Sequence, residues 1–450
     1  MNWKQSYIVN SSTSLPVIAE TDVLVAGGGA AGVAAAETAA KLGNKVILVE
    51  KYGFLGGAAV AGLSGTICGS FMTSENDNNP EKIVFGFAER FYNELTKRGG
   101  LTEPQRYGKT WLATHDPLVW KESAEGLLQD ADAGILYHTN IVGVVKDDDQ
   151  IKGVIVFSKS GFGVIRSKVT IDASGDAQVV YSSGFDFTLG NDGRIQNPTM
   201  IFRLGGVDVK KYLGYWGKDT ISPPKVVEML HTENHKDEYM FPRIKIWVFD
   251  TPRPNELLVN ATRLVDRTGK EYNPLDPFSS TEAEILGRKQ VRAYAKFFKE
   301  NIPGCEKSFV NDTGVEIGVR QTRSIVGIEK LTNEDVVNKR KRSDGIVKSS
   351  WPIELHAGQK PTTGWLVNDY YEIPYGALVP IQGENIIVAG RCLAAEHEAL
   401  ASSRVTAQCF EYGHAAGIAA DLRLKSGTAF RNIKGEEVRY LLNKNGARLD

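Results

Sequence analysis

The chain has 450 residues, enough for two or three domains and a large apolar core. Hydrophobic residues make up 42% of it, charged residues make up 24%, and the formal net charge is only -1. This composition excludes a small disulfide-stapled scaffold, and the bulk charge favours neither nucleic acid nor a membrane surface as a partner.

The N-terminal segment and the cysteines narrow the class of protein further. Residues 1–16 lack a charged region followed by an apolar one, so we expect no secretory signal. The apolar stretch 23–40 contains four glycines and Glu37, which predicts a buried strand, turn and helix rather than a membrane span. The four cysteines are widely spaced, which argues against a redox disulfide, an iron–sulfur cluster or a metal site. We therefore expect a cytoplasmic protein without a metal.

The first motif is a glycine-rich turn between two apolar runs. Residues 22–26 read as a short strand, residues 27–32 as a tight turn and residues 33–42 as a helix. Residues 45–50 then supply a second strand that ends in Glu50, 18 residues after Gly32. Together these elements predict a βαβ unit that binds a dinucleotide.

Each glycine of this turn has its own physical task. Gly27 allows the tight turn, Gly29 lets the backbone approach a pyrophosphate, and Gly32 lets the helix pack closely on the strand. The free N–H groups of the helix N-terminus face the phosphates, and Glu50 accepts hydrogen bonds from ribose hydroxyls. The predicted contacts of this unit are Gly27, Gly29, Ala30, Ala31, Gly32 and Glu50.

The segment after Glu50 distinguishes between dinucleotides. Residues 51–65 contain no helical pattern, and their glycines suit a loop along an extended ligand. An acid and a lysine before such a glycine pair resemble the FAD-dependent oxidoreductases of the glutathione-reductase-like class. In that class the loop lies over the pyrophosphate and ribityl chain. The resemblance implies non-covalent FAD, with contacts from Lys51, Gly56, Gly57 and Ala58.

The resemblance recurs along nearly the whole chain. Short strands between residues 135 and 172 fit a β-meander, and the resemblance implies that Ile141 meets the adenine. The ATGD-like turn of the class is matched by Ala173, Gly175 and Asp176, with Ser174 in place of the usual threonine. Near the C-terminus, a strand over residues 385–391 matches the strand that brings a residue to the ribityl phosphate, here Gly390 and Arg391. A single helix over residues 403–421 is expected to point its N-terminus at the flavin.

Cofactor segments at both ends of the chain imply a discontinuous cofactor domain. We predict an α/β fold in which a Rossmann-like FAD-binding domain with a β-meander carries an inserted α+β substrate domain. The FAD-binding domain comprises residues 1–198 and 376–450, and the substrate domain comprises residues 199–375. Within the insertion, residues 243–249 and 256–262 read as strands, and residues 280–300 read as an amphipathic helix.

Two histidines are candidates for proton transfer. His356 lies in a segment that resembles cofactor-proximal segments of the class, and His397 lies just before the predicted flavin-facing helix. Either could act as a general base near neutral pH. The alternative for each is a structural histidine that hydrogen-bonds the flavin or caps a helix.

Arginine, tyrosine and cysteine side chains complete the candidate site. Arginines 320, 323, 391 and 404 lie in family-like segments, and of these we select Arg323 and Arg404 as ligands for a substrate carboxylate or for charge on the reduced flavin. Tyr375 could donate a hydrogen bond or take a proton, although a core role is favoured for such an aromatic residue. Cys68 follows the glycine loop and could approach the flavin, but without a partner cysteine a packed, inert thiol is favoured.

These features predict an oxidoreductase acting on a small molecule. The leading hypothesis is a dehydrogenase or oxidase that takes a hydride from a C–H bond of a hydroxy acid, sugar derivative or amine to flavin N5, with oxygen or a soluble carrier as electron acceptor. The alternatives are a reductase or desaturase fed by a diffusible donor, an RNA-modifying flavoprotein, and a flavin-binding protein without turnover. We expect no nucleic-acid or membrane partner, and an oligomer stays possible.

Overall fold

The computed structural model describes residues 14–75, 79–234, 241–356 and 361–450. The expectation of no secretory signal concerns residues 1–16, of which residues 1–13 lie outside these ranges. Within the described ranges, no helix is both long and apolar enough to cross a membrane.

The described chain alternates short strands with helices. The strands are β1 (Val17–Ala26), β2 (Val46–Val49), β3 (Thr66–Ile67), β4 (Gln105–Tyr107), β5 (Thr110–Thr114), β6 (Gly134–Leu136), β7 (Asn140–Asp147), β8 (Gln150–Ser158), β9 (Gly161–Asp172), β10 (Phe187–Leu189), β11 (Phe202–Gly205), β12 (Trp247–Asp250), β13 (Glu256–Asn260), β14 (Phe309–Thr313), β15 (Arg323–Ile325), β16 (Gly345–Ser349), β17 (Ile353–Leu355), β18 (Thr362–Gly364), β19 (Tyr371–Pro374) and β20 (Ile386–Val388). The helices are α1 (Ala30–Lys41), α2 (Phe87–Lys97), α3 (Pro117–Asp130), α4 (Gln178–Ser182), α5 (Val209–Trp216), α6 (Pro224–Asn234), α7 (Pro277–Asn301), α8 (Asn333–Val337), α9 (His397–Ser403), α10 (Thr406–Ser426) and α11 (Gly435–Lys444).

The largest sheet has seven strands and combines a parallel part with a meander. Strands β6, β2, β1, β9 and β20 are parallel, and their central residues form apolar runs because both faces of the sheet are covered. Strand β9 belongs to both parts. Its first half pairs with β8 in the antiparallel meander β7–β8–β9, and its last three residues pair with β20. The N-terminal and C-terminal regions of the chain therefore build one sheet.

Helices α1 and α10 cover one face of this sheet and pack closely on each other. Both helices carry small residues at their contact, and a Cβ atom on Gly413 would lie 2.0 Å from the carbonyl oxygen of Ala31. Gly417 is similarly crowded, with Ala35 O 2.9 Å from the position of an added Cβ. The small residues thus set the distance between the first helix and the long C-terminal one.

A second sheet, in the order β12-β13-β11-β14, is antiparallel and has its own core beneath α5, α6 and α7. This core draws its side chains from residues 200–317. Buried residues from 331 to 373 join instead the core around α1 and α10. The division of the chain at residue 375 stays a prediction.

Three sequence predictions differ from the structure in detail. The helix predicted over residues 403–421 is confirmed as α10, but it begins only at Thr406, because Val405 is extended and separates it from α9, which ends at Ser403. Residues 135–141 are divided between β6 and β7, since His138 has a φ of 51° that no strand accommodates. The strand predicted from residue 243 begins only at Trp247. The helix predicted over residues 280–300 is confirmed as α7, which begins after the capping side chain of Asp276.

The contact between α1 and α10 can be tested by adding one methyl group. We expect Gly413→Ala to lower the free energy of unfolding by about 1–3 kcal/mol, because its Cβ would meet the backbone of Ala31 and α10 would have to shift. Urea unfolding of both proteins measures this difference.

Gly214→Ala is the matched control, since Gly214 lies in α5 and no heavy atom lies within 4 Å of its added Cβ. We expect this variant to gain about 0.5–1 kcal/mol from its higher helix propensity. Equal effects of the two substitutions would contradict the packing argument.

Candidate active site

One continuous cavity of about 710 Å³ joins the carboxyl edge of the parallel sheet to the inserted antiparallel sheet. Its volume lies within the usual range for sites that bind cofactors and small molecules. The lining combines the glycine turn after β1 with a second group of residues that carries aromatic and charged side chains. Because the glycine turn and the aromatic and charged residues line the same cavity, a ligand bound at the turn can face a second ligand bound at those residues.

The glycine turn (residues 27–32) leaves its backbone open to a ligand. Gly27 has a φ of 101°, and a Cβ on Gly32 would lie 1.8 Å from Gly27 O, so neither position accepts a side chain without a shift. The loop after β2 approaches the turn closely, since a Cβ on Gly57 would lie 2.9 Å from Gly29 Cα. Helix α1 begins there without a capping side chain, which leaves its first N–H groups available to an anion.

Glu50 lies at the carboxyl end of β2, beside the glycine turn. Its Oε2 accepts a hydrogen bond from Gly28 N at 2.7 Å, and its Oε1 accepts one from Tyr52 N at 2.9 Å. Burial raises the pKa of Glu50, while these backbone donors act in the opposite direction. The carboxylate is thereby fixed in one orientation, with lone pairs left for further donors.

The turns that follow β9 and β20 meet at the same edge of the sheet. Asp176 forms an ion pair with Arg391 at 2.6 Å and accepts a hydrogen bond from Thr322 at 2.7 Å. Burial acts to raise the pKa of Asp176, but Arg391 and Thr322 outweigh it and the net shift is downward. The pair ties the β9 turn to the β20 turn.

The second group of lining residues contains an acid–base cluster, defined here as Tyr107, Glu354 and His356. The Tyr107 hydroxyl donates to Glu354 Oε1, and His356 Nε2 lies 3.5 Å from Glu354 Oε2. Burial acts to raise the pKa of Glu354, but His356, Tyr107 and Arg404 hold it below its ordinary value. Burial and the Arg320 guanidinium lower the pKa of His356 to about 3. At neutral pH the carboxyl is ionised and the imidazole is neutral.

Aromatic rings surround this cluster. Trp351 packs on Tyr107 with ring centroids 5.1 Å apart, and Trp247 meets His356 edge-on at 5.6 Å. The indole nitrogens of both tryptophans are buried and have no hydrogen-bond partner among the described residues. These rings give the cluster a largely apolar wall, and their two indole N–H groups carry unused donor capacity.

Two arginines and a cysteine lie near the same cluster. Arg320 donates to Asn197 O at 2.6 Å, and Arg404 donates to Gln196 Oε1 at 3.0 Å. Burial raises the pKa of Cys68 to about 12, so its thiol stays protonated and unreactive at neutral pH. Arg404 reaches the cavity because α9 and α10 are separated at this residue.

Most of the predicted cofactor contacts lie together in the cavity. The lining includes Gly27, Gly29, Ala30, Ala31, Glu50, Lys51, Gly56, Gly57, Ala58, Ile141, Ala173, Gly175, Asp176, Gly390 and Arg391. Gly32 is not part of the lining, because it is placed against Gly27 inside the turn. Its predicted task, close packing of helix on strand, needs no contact with a ligand.

Of the five predicted catalytic residues, the structure brings His356 and Arg404 to the cavity. Tyr375 lies in the core and donates to Phe430 O at 3.2 Å. Arg323 lies over the Tyr181 ring at 3.8 Å and donates to Asp176 O, on the far side of the turn. His397 is the first residue of α9 and is not among the lining residues. The geometry therefore gives no support to catalytic roles for Tyr375, Arg323 and His397.

Sequence reasoning missed Glu354, Tyr107 and the two tryptophans. The sequence does carry a signal for Glu354. Residues two apart on a strand lie on the same face, and Glu354 precedes the candidate base His356 by two residues. Tyr107 and Trp247 come from distant strands, and no local pattern marks them. Arg320 also lines the cavity, although it is not among the predicted catalytic residues.

The chain has partial likenesses to two curated enzymes and a fold likeness to a solved structure. It is 27% identical over 161 residues to the digeranylgeranylglycerophospholipid reductase of Thermoplasma volcanium, covering 34% of this chain and 39% of that protein. It is 28% identical over 170 residues to the thiamine thiazole synthase of Methanococcus vannielii, covering 36% of this chain and 59% of that protein. Both matches span less than two thirds of the relative.

A solved geranylgeranyl bacteriochlorophyll reductase-like protein of Thermoplasma acidophilum aligns over 96% of this chain and 85% of its own, at 14% identity and a TM-score of 0.50, which shows a shared fold alone. The sequence model of the family described as FAD dependent oxidoreductase matches residues 22–442. The chain therefore belongs to the FAD dependent oxidoreductase family and is an enzyme whose cofactor is FAD.

Proposed function

We propose that this enzyme oxidises a polar small molecule at a C–H bond next to a hydroxyl or amino group. The observation that carries the proposal is the acid–base cluster in the same cavity as the glycine turn. Bound FAD supplies the acceptor for the hydride at its flavin ring. The protein has to hold the substrate, exclude water and accept one proton.

The residues of the cavity fit FAD. Two glycines, at 29 and 57, bring backbone from two loops together where a diphosphate needs close approach, and the uncapped N-terminus of α1 faces the same space. Glu50 offers carboxylate oxygens to ribose hydroxyls. The meander β7–β8–β9, with Ile141 in the lining, suits the adenine. We assign the cofactor domain to the glutathione-reductase-like class on these features.

His356 is the proposed proton acceptor. Glu354 Oε2 faces Nε2 of the ring and favours the tautomer with its proton on that nitrogen, which leaves Nδ1 as the basic atom. Nδ1 is buried and has no hydrogen-bond partner among the described residues. When the substrate C–H bond breaks and its electron pair leaves as hydride, the hydroxyl or amino proton passes to Nδ1 and a C=O or C=N bond forms.

The alternative is a reductase fed by a diffusible electron donor. One partial relative is named a digeranylgeranylglycerophospholipid reductase, which is the observation in favour of this function. The acid–base cluster would then donate a proton rather than accept one. The two functions differ in which compound delivers electrons to the cofactor.

Anaerobic mixing separates these two functions. We expect flavin absorbance to bleach with at least one member of a panel of hydroxy acids, sugar acids, sugars and amines, and to persist with NADH or NADPH alone. The oxidised product identifies the substrate by mass spectrometry. Bleaching by a nicotinamide donor and by no member of the panel would establish the reductase instead.

Replacing the proposed base tests its role directly. We expect His356→Gln to lower the rate constant of flavin reduction by substrate about 10²–10⁴-fold, because no other group at this position accepts the proton. Stopped-flow spectroscopy measures this rate, and the FAD content of the variant should stay at the wild-type level.

His414→Gln is the matched control. His414 forms a second buried pair with a carboxylate, its Nδ1 lying 2.9 Å from Glu411 Oε2, but it does not line the cavity. Its substitution should leave the reduction rate within a few fold. A similar loss in both variants would mean that His356 matters for structure rather than for proton transfer.

The assignment of Glu50 to the ribose predicts a loss of cofactor affinity. We expect Glu50→Gln to weaken FAD binding about tenfold or more, because a charge-assisted acceptor is replaced by a neutral one. Fluorescence titration of the apoprotein with FAD gives the dissociation constants. The control is Glu20→Gln on β1, where Glu20 forms an exposed ion pair with Arg166 of β9, and this variant should bind FAD like the wild type.

A further inference from the structure

Three arginines lie around the acid–base cluster, of which Arg243 and Arg320 are buried and Arg404 is half-buried. Arg320 and Arg404 line the cavity, and Arg243 lies behind the wall, with its guanidinium carbon 5.2 Å from the Trp247 ring centroid. Burial lowers the pKa of Arg320, and the charges of Arg243 and Arg404 lower it further. The three guanidinium groups are therefore near enough to repel one another, and the structure still holds them together.

The described residues offer these arginines little compensation. Elsewhere in the chain, buried or half-buried arginines face carboxylates, as Arg203 does with Asp312 and Arg439 with Glu372. No ion pair within 4.0 Å is formed by Arg243, Arg320 or Arg404 in the described part of the chain. All three guanidinium nitrogens of Arg243 are buried without a hydrogen-bond partner there. An uncompensated buried cation is costly, so the arrangement favours an anion that arrives from outside the chain.

The charges around the acid–base cluster favour an anion. Arg320 and Arg404 line the cavity and Arg243 lies behind its wall, while the cluster itself contributes the carboxylate of Glu354 and a neutral His356. The excess of positive charge beside the cluster matches an anionic ligand. Each cavity-lining arginine donates one hydrogen bond to the described chain and retains further N–H donors, and a planar guanidinium pairs well with a planar carboxylate.

The cofactor does not account for this charge through its phosphates. The glycine turn, Gly57 and the N-terminus of α1 form the diphosphate cradle, and the arginines instead accompany the acid–base cluster and its tryptophans. We propose that the substrate is a carboxylate, and that Arg320 and Arg404 bind its carboxylate group while the oxidised carbon faces His356. This inference rests on the oxidation proposed above and names its substrate class.

Binding of benzoate and benzamide to the FAD-loaded enzyme tests the inference without turnover. The two probes have the same ring, and only benzoate is charged. We expect benzoate to perturb the flavin absorbance and to bind about 10–100-fold more tightly than benzamide, the range for charge-assisted hydrogen bonds. Acetate, lactate and gluconate extend the series. Equal affinity for the two aromatic probes, or no spectral change with any carboxylate, would overturn the inference.

Substitution of each cavity-lining arginine tests whether that residue binds the carboxylate. We expect Arg320→Gln and Arg404→Gln each to reduce the preference for benzoate about tenfold or more, and Arg320→Lys to restore part of it. Arg253→Gln is the control, because Arg253 pairs with Asp116 and does not line the cavity. A benzoate preference that survives in both glutamine variants would overturn the assignment of the two arginines.

The two proposals fail in different ways. If the substrate panel bleaches the flavin through neutral members only, and the benzoate preference is absent, the oxidation stands and the carboxylate class is overturned. If benzoate binds through the arginines but only nicotinamide donors bleach the flavin, the anion site stands and the direction of the reaction is reversed.

Discussion

Strand β9 pairs with β1 on one side and with β8 and β20 on the other, and this pairing places the carboxyl ends of three parallel strands at one edge of the sheet. Each of these strands is followed by a turn that lines the cavity, namely the glycine turn, the Asp176 turn and the Gly390 turn. The ion pair of Asp176 and Arg391 joins two of them. Because parallel strands expose their carboxyl ends together, residues some 360 positions apart in the chain form one site.

The second constraint is electrostatic and acts through burial. Glu354 is ionised in an enclosed space, so it needs the Tyr107 hydroxyl, His356 and nearby cations as partners. Burial keeps His356 neutral, and the charges of Arg320 and Arg243 act in the same direction. A neutral imidazole beside an ionised carboxylate is the protonation state in which this pair can accept a proton. The charges that fix the pair therefore also prepare it for chemistry.

The sequence predicts the cofactor end of the cavity much better than the substrate end. The glycine turn, Glu50 and the Asp176 turn depend on local spacing within single βαβ or strand-turn units, and a short window of residues carries that information. The acid–base cluster draws Tyr107 from β4 and Glu354 from β17, and its wall includes Trp247 from β12, so the assembly of this end depends on tertiary packing. The start of α10 is likewise predicted only approximately, at residue 403 instead of Thr406, because local pattern does not show that Val405 is extended and that Arg404 lies between α9 and α10.

The low pKa of His356 belongs to the free enzyme, whereas its role as base concerns the enzyme with substrate bound. Its pKa is depressed by burial, by Arg320 and, to a smaller extent, by Arg243, while Glu354 acts to raise it. A carboxylate bound to Arg320 and Arg404 would offset the cationic contribution and leave that of Glu354, so the pKa of His356 would rise when substrate binds. The contact of Arg320 and Arg404 with the substrate carboxylate would then have two consequences. The arginines select an anionic substrate, and they leave the base weak until that substrate is present.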